Sequence, residues 1–379
     1  MSQSNQPSQP SQPSQPSSIL EVAIIGAGVA GITCAQQLHQ AGYSLALVEK
    51  SRGLGGRLAK RRLPAASAGP THADHGVCYL KPEDAKFAQL IERLCGLGLM
   101  QVWTDQIHGL GPAGEVIAPR SRSPRYAAPQ GITVLAKALA QGLTIHNSQR
   151  AVGLAVQGTG QEQIWEITTD QGLMLRARAL VLAVPTPQAI ALIDSLPKFD
   201  PATLARLHRV EFSQGIAAIA VYDPEHQAKA AQLPWRGINC QGHPSLAWIG
   251  LESSKQLNPQ QPVVVVHSNP AFGQAQFEAD DRGAVGQTLL DFAAEVAEAP
   301  WLAEPEKLQV HRWGYAFPQT PLPERCLQAQ GSPPLWFVGD WCGGDRVESA
   351  FLSGLAAADQ LHQQLAGKAL PDLFWKALI

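Results

Sequence analysis

The 379-residue sequence lacks several features that mark whole classes of protein. No apolar run reaches the length of about 18 residues that a membrane-spanning helix needs. No basic stretch followed by an apolar one stands near the start, as a secretory signal would require. The net charge of −2 gives no electrostatic reason to bind nucleic acid or an anionic membrane. We therefore expect no membrane span, no secretory signal and no nucleic-acid partner.

Cysteine is sparse and scattered, with six residues and no C-x-x-C pair. This usage is typical of a reducing compartment, so we predict a cytoplasmic protein. The sequence contains no His-Glu-x-x-His spacing and no visible Ser/His/Asp arrangement, and we predict no metal site. Residues 2–18 contain only Ser, Gln, Asn and Pro. They have nothing apolar to bury, which predicts a disordered tail over 1–18.

The first motif that points to a chemical role is a glycine fingerprint near the N-terminus. An apolar run at Leu20–Ile25 predicts a buried strand, and the helical pattern that follows it begins inside Gly26–Gly31, which reads G-x-G-x-x-G. In such a motif the first glycine permits a tight turn, the second lets the backbone approach a pyrophosphate, and the third lets helix and strand pack closely. The helix N-terminus then presents unpaired N–H groups to the phosphates. The pattern predicts a Rossmann-type dinucleotide site.

The acid that completes this fingerprint is Glu49. It ends a second apolar strand, Ser44–Val48, at about the 20-residue spacing expected for a ribose-binding carboxylate. The next segment, Gly55-Gly56-Arg57, puts two glycines and a cation directly after that acid. A simple NAD domain has no need of this loop, whereas a flavin enzyme uses one to bring backbone and arginine to the pyrophosphate. The cofactor predicted is therefore FAD.

The C-terminal region carries a second strand–turn–helix motif. A buried strand at 335–338 leads into Gly339-Asp340, and a helix begins near Val347. The aspartate can bind the flavin ribitol or reach the pyrophosphate through water. The helix N-terminus would face the flavin edge where negative charge develops on reduction.

Between these motifs, apolar spacing predicts further elements. They are helices at 85–97, 131–143 and 285–297, a glycine-turn hairpin at 101–117, and strands at 143–145, 151–156, 163–169, 173–177, 179–184, 214–222, 245–251 and 263–267.

Four segments together resemble renalase, and more exactly its bacterial and plastid relatives within the flavin amine oxidase superfamily. They are Glu49–Arg57, Ala73–Tyr79, His311–Ala316 and Gly339–Gly354. The resemblance implies an α/β fold with a Rossmann-type, glutathione-reductase-like FAD domain and a second, mixed-sheet α+β substrate domain. The FAD domain is predicted to be discontinuous over 19–80, 131–190 and 305–379, and the substrate domain to cover 81–130 and 191–304.

The motifs and the resemblance together predict the cofactor-binding residues, with the flavin held without a covalent bond. These are Gly26, Gly28, Ala30, Gly31, Glu49, Lys50, Gly56, Arg57, Cys78, Tyr79, Val152, Gly339, Asp340, Val347 and Glu348. The sequence departs from its relatives at Cys78, where they commonly have glutamine, so a backbone contact is the one expected there. Gly53 and Lys60 stand where the wider superfamily has arginine and serine or threonine.

Three residues are considered for the substrate pocket and for catalysis. Trp313 and Tyr315 share one face of a predicted strand and could form a wall of the substrate pocket or belong to the core. His75 could act as a base, but its place in an FAD loop favours a structural role, and no catalytic residue is predicted. The resemblance implies an oxidase that takes reduced nicotinamide dinucleotides or their isomers and passes electrons to oxygen, giving hydrogen peroxide. The alternatives are a flavin amine or polyene oxidase or dehydrogenase, and a non-catalytic binding protein on the same fold.

Overall fold

The structure is a computed structural model that describes residues 19–366, Leu370 and Trp375. The tail predicted over 1–18 lies outside the described residues. The strands are β1 (Leu20–Ile25), β2 (Leu45–Glu49), β3 (Lys60–Ala66), β4 (Gly69–Asp74), β5 (Gln101–Thr104), β6 (His108–Leu110), β7 (Val116–Ile117), β8 (Arg125–Ala127), β9 (Ile145–Asn147), β10 (Ala151–Gln157), β11 (Ile164–Thr169), β12 (Met174–Leu182), β13 (Phe212–Val221), β14 (Gly237–Asn239), β15 (Leu246–Leu251), β16 (Val263–Ser268), β17 (Lys307–Pro318), β18 (Leu327–Gln328) and β19 (Leu335–Phe337). The helices are α1 (Val29–Gln40), α2 (Ala85–Gly96), α3 (Thr133–Leu139), α4 (Thr186–Ile193), α5 (Pro201–His208), α6 (Gln227–Gln232), α7 (Pro270–Gln276), α8 (Arg282–Val296) and α9 (Val347–Ala366).

The first sheet is the Rossmann-type sheet that the glycine fingerprint predicts. Its strand order is β10-β11-β12-β1-β2-β9, with β19 on β12 and β18 on β19. The central pairs β12/β1, β1/β2, β2/β9 and β12/β19 are parallel. Alternate residues of β1 face opposite cores: Val22 and Ile24 pack with α1, whereas Ala23 and Ile25 pack on the other face. Burial on both faces is why this strand is apolar from Val22 to Ile25.

The second sheet is largely antiparallel, in the order β17-β13-β16-β15-β14-β6-β7. Helix α8 packs on it through Leu289, Leu290 and Ala293, which lie in one cluster with Ile216, Ala218 and Val264. Two small two-stranded sheets, the hairpin β3–β4 and the pair β5–β8, complete the strands. The result confirms the predicted α/β class with a second, mixed sheet. None of the described helices has the length and apolar character that crossing a membrane requires.

Three local predictions differ from the structure. The strands predicted at 173–177 and 179–184 form the single strand β12. The exposed Arg178 lies between residues 174–177, which pair antiparallel with β11, and the buried residues 179–182, which pair parallel with β1. In the predicted 101–117 hairpin, β6 does pair with β7, but β5 pairs with β8 instead. Strand β17 pairs with β13, so residues 307–318 lie in the second sheet rather than with the sheet of the predicted FAD domain.

Candidate functional site

The turn from β1 into α1 is shaped by three glycines. Gly26 has φ +105°, and a Cβ there would lie 2.4 Å from the Ala183 carbonyl oxygen. A Cβ on Gly31 would lie 2.1 Å from the Gly26 carbonyl oxygen, so this glycine allows the close packing of the turn. A Cβ on Gly28, in contrast, would meet nothing within 4 Å among the described residues. Gly28 is also the N-cap of α1 and supplies no side-chain cap. An open, anion-attracting space therefore faces Gly28.

The predicted flavin loop lies directly over this turn. The Gly55 N–H donates to the Ala27 carbonyl at 2.8 Å, and Gly28 and Gly55 form an isolated parallel bridge. Gly56 has φ +59°, and its Cβ would stand 3.7 Å from the Gly28 Cα. The two glycine segments, far apart in sequence, thus form one backbone-lined cradle.

Glu49 lies at the end of β2 beside this cradle and is 7% exposed. Its carboxylate accepts hydrogen bonds from the Ala27 N–H at 2.8 Å and the Ser51 N–H at 2.7 Å. A carboxylate has about four acceptor positions, so lone pairs remain for two ribose hydroxyls. The Gln149 N–H bonds to the Glu49 carbonyl at 2.9 Å, which brings the segment before Val152 to the same edge.

Two residues predicted here are more peripheral. Val152 is 55% exposed on β10, and Lys50 is exposed with its Nζ donating to Gln188 at 3.2 Å. Ala30, in contrast, is buried in the first turn of α1, where a Cβ on Gly354 of α9 would lie 2.4 Å from its carbonyl oxygen. Its contact with a cofactor would therefore be through the backbone.

Arg57 joins three segments at the centre of the site. Its Nη2 forms an ion pair with Asp340 Oδ1 at 2.6 Å, and its Nη1 donates to the Ala316 carbonyl at 3.1 Å. The side chain of Asp340 is 8% exposed and that of Arg57 28%. A guanidinium has five N–H donors, so others remain for a phosphate. The pairing also neutralises an aspartate that would otherwise repel an anionic cofactor.

The C-terminal motif adopts the predicted strand–turn–helix form. The Gly339 N–H donates to Ser353 Oγ at 3.1 Å, which ties the turn to α9. Val347 begins α9, as predicted. The Glu348 carboxylate accepts from the N–H groups of Glu83 and Asp84, at 2.7 and 2.8 Å. That carboxylate therefore holds the start of α2, and the backbone of this turn is the part left to face a ligand.

The segment Ala73–Tyr79 forms a further wall. A Cβ on Gly76 would lie 2.1 Å from the Arg57 carbonyl oxygen, so this segment packs tightly on the flavin loop. Trp313 of β17 stacks on His75, with ring centroids 5.4 Å apart, and its Nε1 donates to the His75 carbonyl. Cys78 Sγ lies 3.7 Å from His267 Nδ1. Tyr315 packs edge-on against Phe212 instead.

Histidines cluster behind this segment and are held neutral. Burial lowers the pKa of His75 to about 3, with further repulsion from His311 and Arg61. Burial likewise lowers the pKa of His267 to about 4. Burial also raises the pKa of the Cys78 thiol, which therefore stays protonated. Neither His75 nor Cys78 is poised here as a charged reactive group.

The histidine cluster predicts a loss of stability in acid. The unfolded chain binds protons at histidine below about pH 6.5, whereas folded His75 and His267 do not until about pH 3 and 4. Stability is therefore full above pH 6.5 and falls toward pH 4, by up to about 1.4 kcal/mol per pH unit for each proton. His75→Phe keeps the ring stack and should show a shallower fall in urea-unfolding free energy between pH 7 and 5. Equal slopes in the two proteins would contradict this origin.

A cavity next to Tyr79 has a volume of about 480 Å³. Its polar lining includes Tyr79, His108, Arg120, Arg125, Asn239 and Gln241. The Arg125 guanidinium carbon lies 5.4 Å from the Tyr79 ring centroid. Tyr79 also contacts Trp103 and Trp248, with centroids 6.4 and 5.5 Å away. Trp313 and Tyr315, predicted for a substrate pocket, are not among the described residues that line this cavity.

The residues missed from the sequence lie outside the first sheet. Trp103, Trp248, Arg120 and Arg125 come from separate segments that carry no motif, and only the folded chain brings them to Tyr79. Among the described residues, no group of three or more His, Cys, Asp or Glu side chains is arranged to hold a metal ion.

Comparison with known proteins places this site in a family. Residues 102–362 match the flavin containing amine oxidoreductase family, and residues 24–94 match the NAD(P)-binding Rossmann-like domain. The chain belongs to the flavin containing amine oxidoreductase family, whose cofactor is FAD. The cradle at Gly28 and Gly56, the free lone pairs of Glu49 and the donors of Arg57 fit that cofactor.

Individual relatives are more distant. The chain is 27% identical over 263 residues to polyamine oxidase 4 of Oryza sativa subsp. japonica, an alignment covering 64% of this chain and 50% of that protein. It thus spans half the length of that relative. A putrescine oxidase structure bound to putrescine aligns with 91% of this chain and 99% of its own, at 14% identity and a TM-score of 0.67. Cyclohexylamine oxidase from Brevibacterium oxydans IH-35A aligns with 92% of this chain and 100% of its own, at 13% identity and a TM-score of 0.66. These structures share the fold.

Proposed function

We propose that this flavoenzyme oxidises a small molecule that carries an anionic group, with a reduced nicotinamide dinucleotide or one of its isomers as the substrate. The observation that supports the proposal is the charge of the cavity beside Tyr79. Arg120 and Arg125 line it, and none of the described residues lining it is Asp or Glu. A cationic amine would find no carboxylate there, whereas a phosphate could pair with either guanidinium.

The Tyr79 ring, which lines the same cavity, offers a flat apolar surface on which a planar ring can stack.

The proposal has further parts that rest on the resemblance to renalase. Oxygen would be the acceptor, so that NAD(P)H, a proton and O₂ give NAD(P)⁺ and H₂O₂. The FAD would be held without a covalent bond, in keeping with the full burial of Cys342. The cytoplasmic location and the division into an FAD domain and a substrate domain are part of the same proposal.

The roles of the chain's own residues follow from their geometry. Bound FAD supplies the electron acceptance, and the protein supplies orientation and a dry pocket. Tyr79, Trp103 and Trp248 exclude water from one wall. Arg125 orients the anionic group, and the neutral His75 and His267 add no charge beside the flavin loop. No described side chain is assigned as a catalytic acid or base.

A second candidate is the oxidation of an amine. The relatives favour it, since they are named as polyamine, putrescine and cyclohexylamine oxidases. The aromatic wall of Tyr79, Trp103 and Trp248 would suit an amine by cation–π contact.

Anaerobic reduction chooses between the two candidates. The purified protein should show flavin absorbance and release FAD on denaturation. Under anaerobic conditions NADH, NADPH or their isomers should bleach it, and putrescine, spermidine and cyclohexylamine should not. Bleaching by an amine alone would replace the proposed function with the second candidate. Admitting air should restore the absorbance and yield hydrogen peroxide.

Arg125 is the residue that should set the affinity for the anion. Arg125→Met keeps the length of the side chain and removes the charge, so the KM for the bleaching dinucleotide should rise about 10-fold with little change in kcat. The matched control is Arg122→Met, since Arg122 is an exposed neighbour paired with Asp105. An unchanged KM in Arg125→Met, measured by steady-state oxygen consumption, would show that the anion does not bind at Arg125.

A further inference from the structure

A buried charge cluster lies between the second domain and the segment Ala73–Tyr79. It consists of Asp74, Glu252 and Lys255, which are each 2% exposed. The 3-10 turn Glu252–Lys255 carries two of them at the end of β15. Three ionisable groups at such depth are costly to charge unless each has its partners, and burial raises the pKa of Asp74 and raises that of Glu252 to about 7.

The cluster is fully connected to the backbone of that segment. Lys255 Nζ donates to Glu252 Oε1 at 2.5 Å and to the Cys78 carbonyl at 2.6 Å. Glu252 Oε2 accepts from the Asp74 N–H at 3.0 Å. The Asp74 carboxylate in turn accepts from the Ile132 N–H at 2.9 Å, at the start of α3. The Lys255 ammonium therefore binds the Cys78 carbonyl directly. Further hydrogen bonds through Glu252 and Asp74 connect it to the start of α3.

Lys255 is charged in this setting. Burial alone would lower its pKa, but the carboxylates of Glu252 and Asp74 raise it above the ordinary value for lysine. The ammonium also lies 5.1 Å from the centroid of the Trp103 ring, which forms the aromatic wall with Tyr79. Lys255 thus touches both the backbone before Tyr79 and the ring beside it.

We propose that Lys255 is a positioning residue, which fixes the Cys78 carbonyl and the Trp103 ring and thereby sets the orientation of Tyr79 against the flavin. The inference rests on the proposed placement of the flavin beside Cys78 and Tyr79. A charged, short hydrogen bond to the carbonyl restricts the peptide between these two residues more than a neutral contact would. Small misplacements of such walls affect the rate rather than the affinity.

The test compares Lys255→Met with Gln256→Leu. Gln256 is the matched control because it is adjacent and joins the same two segments, through the His72 carbonyl at 2.7 Å and Thr71 Oγ1 at 3.2 Å, but does not touch Cys78. Lys255→Met should change the visible circular dichroism of bound FAD and lower kcat about 10-fold with KM nearly unchanged. Gln256→Leu should leave both the spectrum and kcat as in the wild type.

A second pair of variants tests the proposal if Lys255→Met does not fold. Removing both partners of a buried ion pair is less disruptive than removing one. Glu252→Gln keeps the ammonium donor to Cys78 and should keep the spectrum, whereas the double variant Glu252→Gln/Lys255→Met lacks that donor and should change it. An unchanged spectrum in every variant that lacks Lys255, or an equal change in Gln256→Leu, would overturn the proposal. The spectrum is measured without substrate, so its result does not depend on whether the enzyme oxidises a dinucleotide or an amine.

Discussion

Gly28→Ala should abolish tight FAD binding while the apoprotein folds normally, and Gly31→Ala should damage the fold itself. A methyl group on Gly28 meets no described atom within 4 Å, and its φ of −75° suits any residue. The space it would fill is the one through which a pyrophosphate approaches the helix N-terminus. We expect the affinity for FAD to fall at least about 100-fold, or about 2.7 kcal/mol. The melting temperature of the apoprotein should stay within about 2 °C of the wild type.

Gly31→Ala differs because its methyl group has nowhere to go. The new Cβ would lie 2.1 Å from the Gly26 carbonyl oxygen and 2.9 Å from the Ala183 Cβ. Such overpacking against backbone should cost about 3 kcal/mol or more of the free energy of unfolding. Thermal unfolding of both apoproteins and fluorescence titration with FAD separate the two effects. Wild-type FAD affinity in Gly28→Ala would mean that the pyrophosphate does not bind at this turn.

The helices, strands and turns around the candidate site that the sequence predicted correctly are local. The β1 strand, the glycine turn, α1 and the acid ending β2 lie within one short unit, so spacing alone reports their geometry. The strand β19, the turn at Gly339 and α9 form a second such unit. In both units the residues expected to bind the cofactor are close together in the sequence. Their arrangement is predictable because backbone conformation and helix N-termini are local properties.

The parts that could not be predicted depend on contacts between distant segments. Glu252 bonds to the Asp74 backbone across 178 residues, and no spacing rule connects a lysine in a 3-10 turn with that loop. Strand β17 carries a motif that resembles a flavin enzyme, yet its hydrogen bonds go to β13. Apolar alternation predicts that a strand exists but not which sheet it joins. The cavity beside Tyr79 has the same origin, since its arginines follow β7 and begin β8.

Arg57→Met should be the most damaging change at the centre of the site, and Asp340→Asn should partly rescue it. Loss of the guanidinium removes a phosphate donor and also leaves Asp340, 8% exposed, unpaired beside an anionic cofactor. Truncating one partner of such a pair costs about 2–5 kcal/mol, much of it from the stranded charge. We expect about a 100-fold weaker affinity for FAD in Arg57→Met.

The double variant tests that account of Arg57 directly. Asp340→Asn alone should weaken FAD binding by about 10-fold or less, because Arg57 stays to meet the phosphates. In Arg57→Met/Asp340→Asn the unpaired carboxylate is absent, so the loss of FAD affinity should be smaller than in Arg57→Met alone. The coupling free energy between the two substitutions should be about 1 kcal/mol or more. FAD titration of the four proteins gives this cycle. Losses that simply add would show that Arg57 acts on the cofactor independently of Asp340. Coupling would instead show that neutralising this aspartate, held by an ion pair of 2.6 Å, is a condition for binding an anion here.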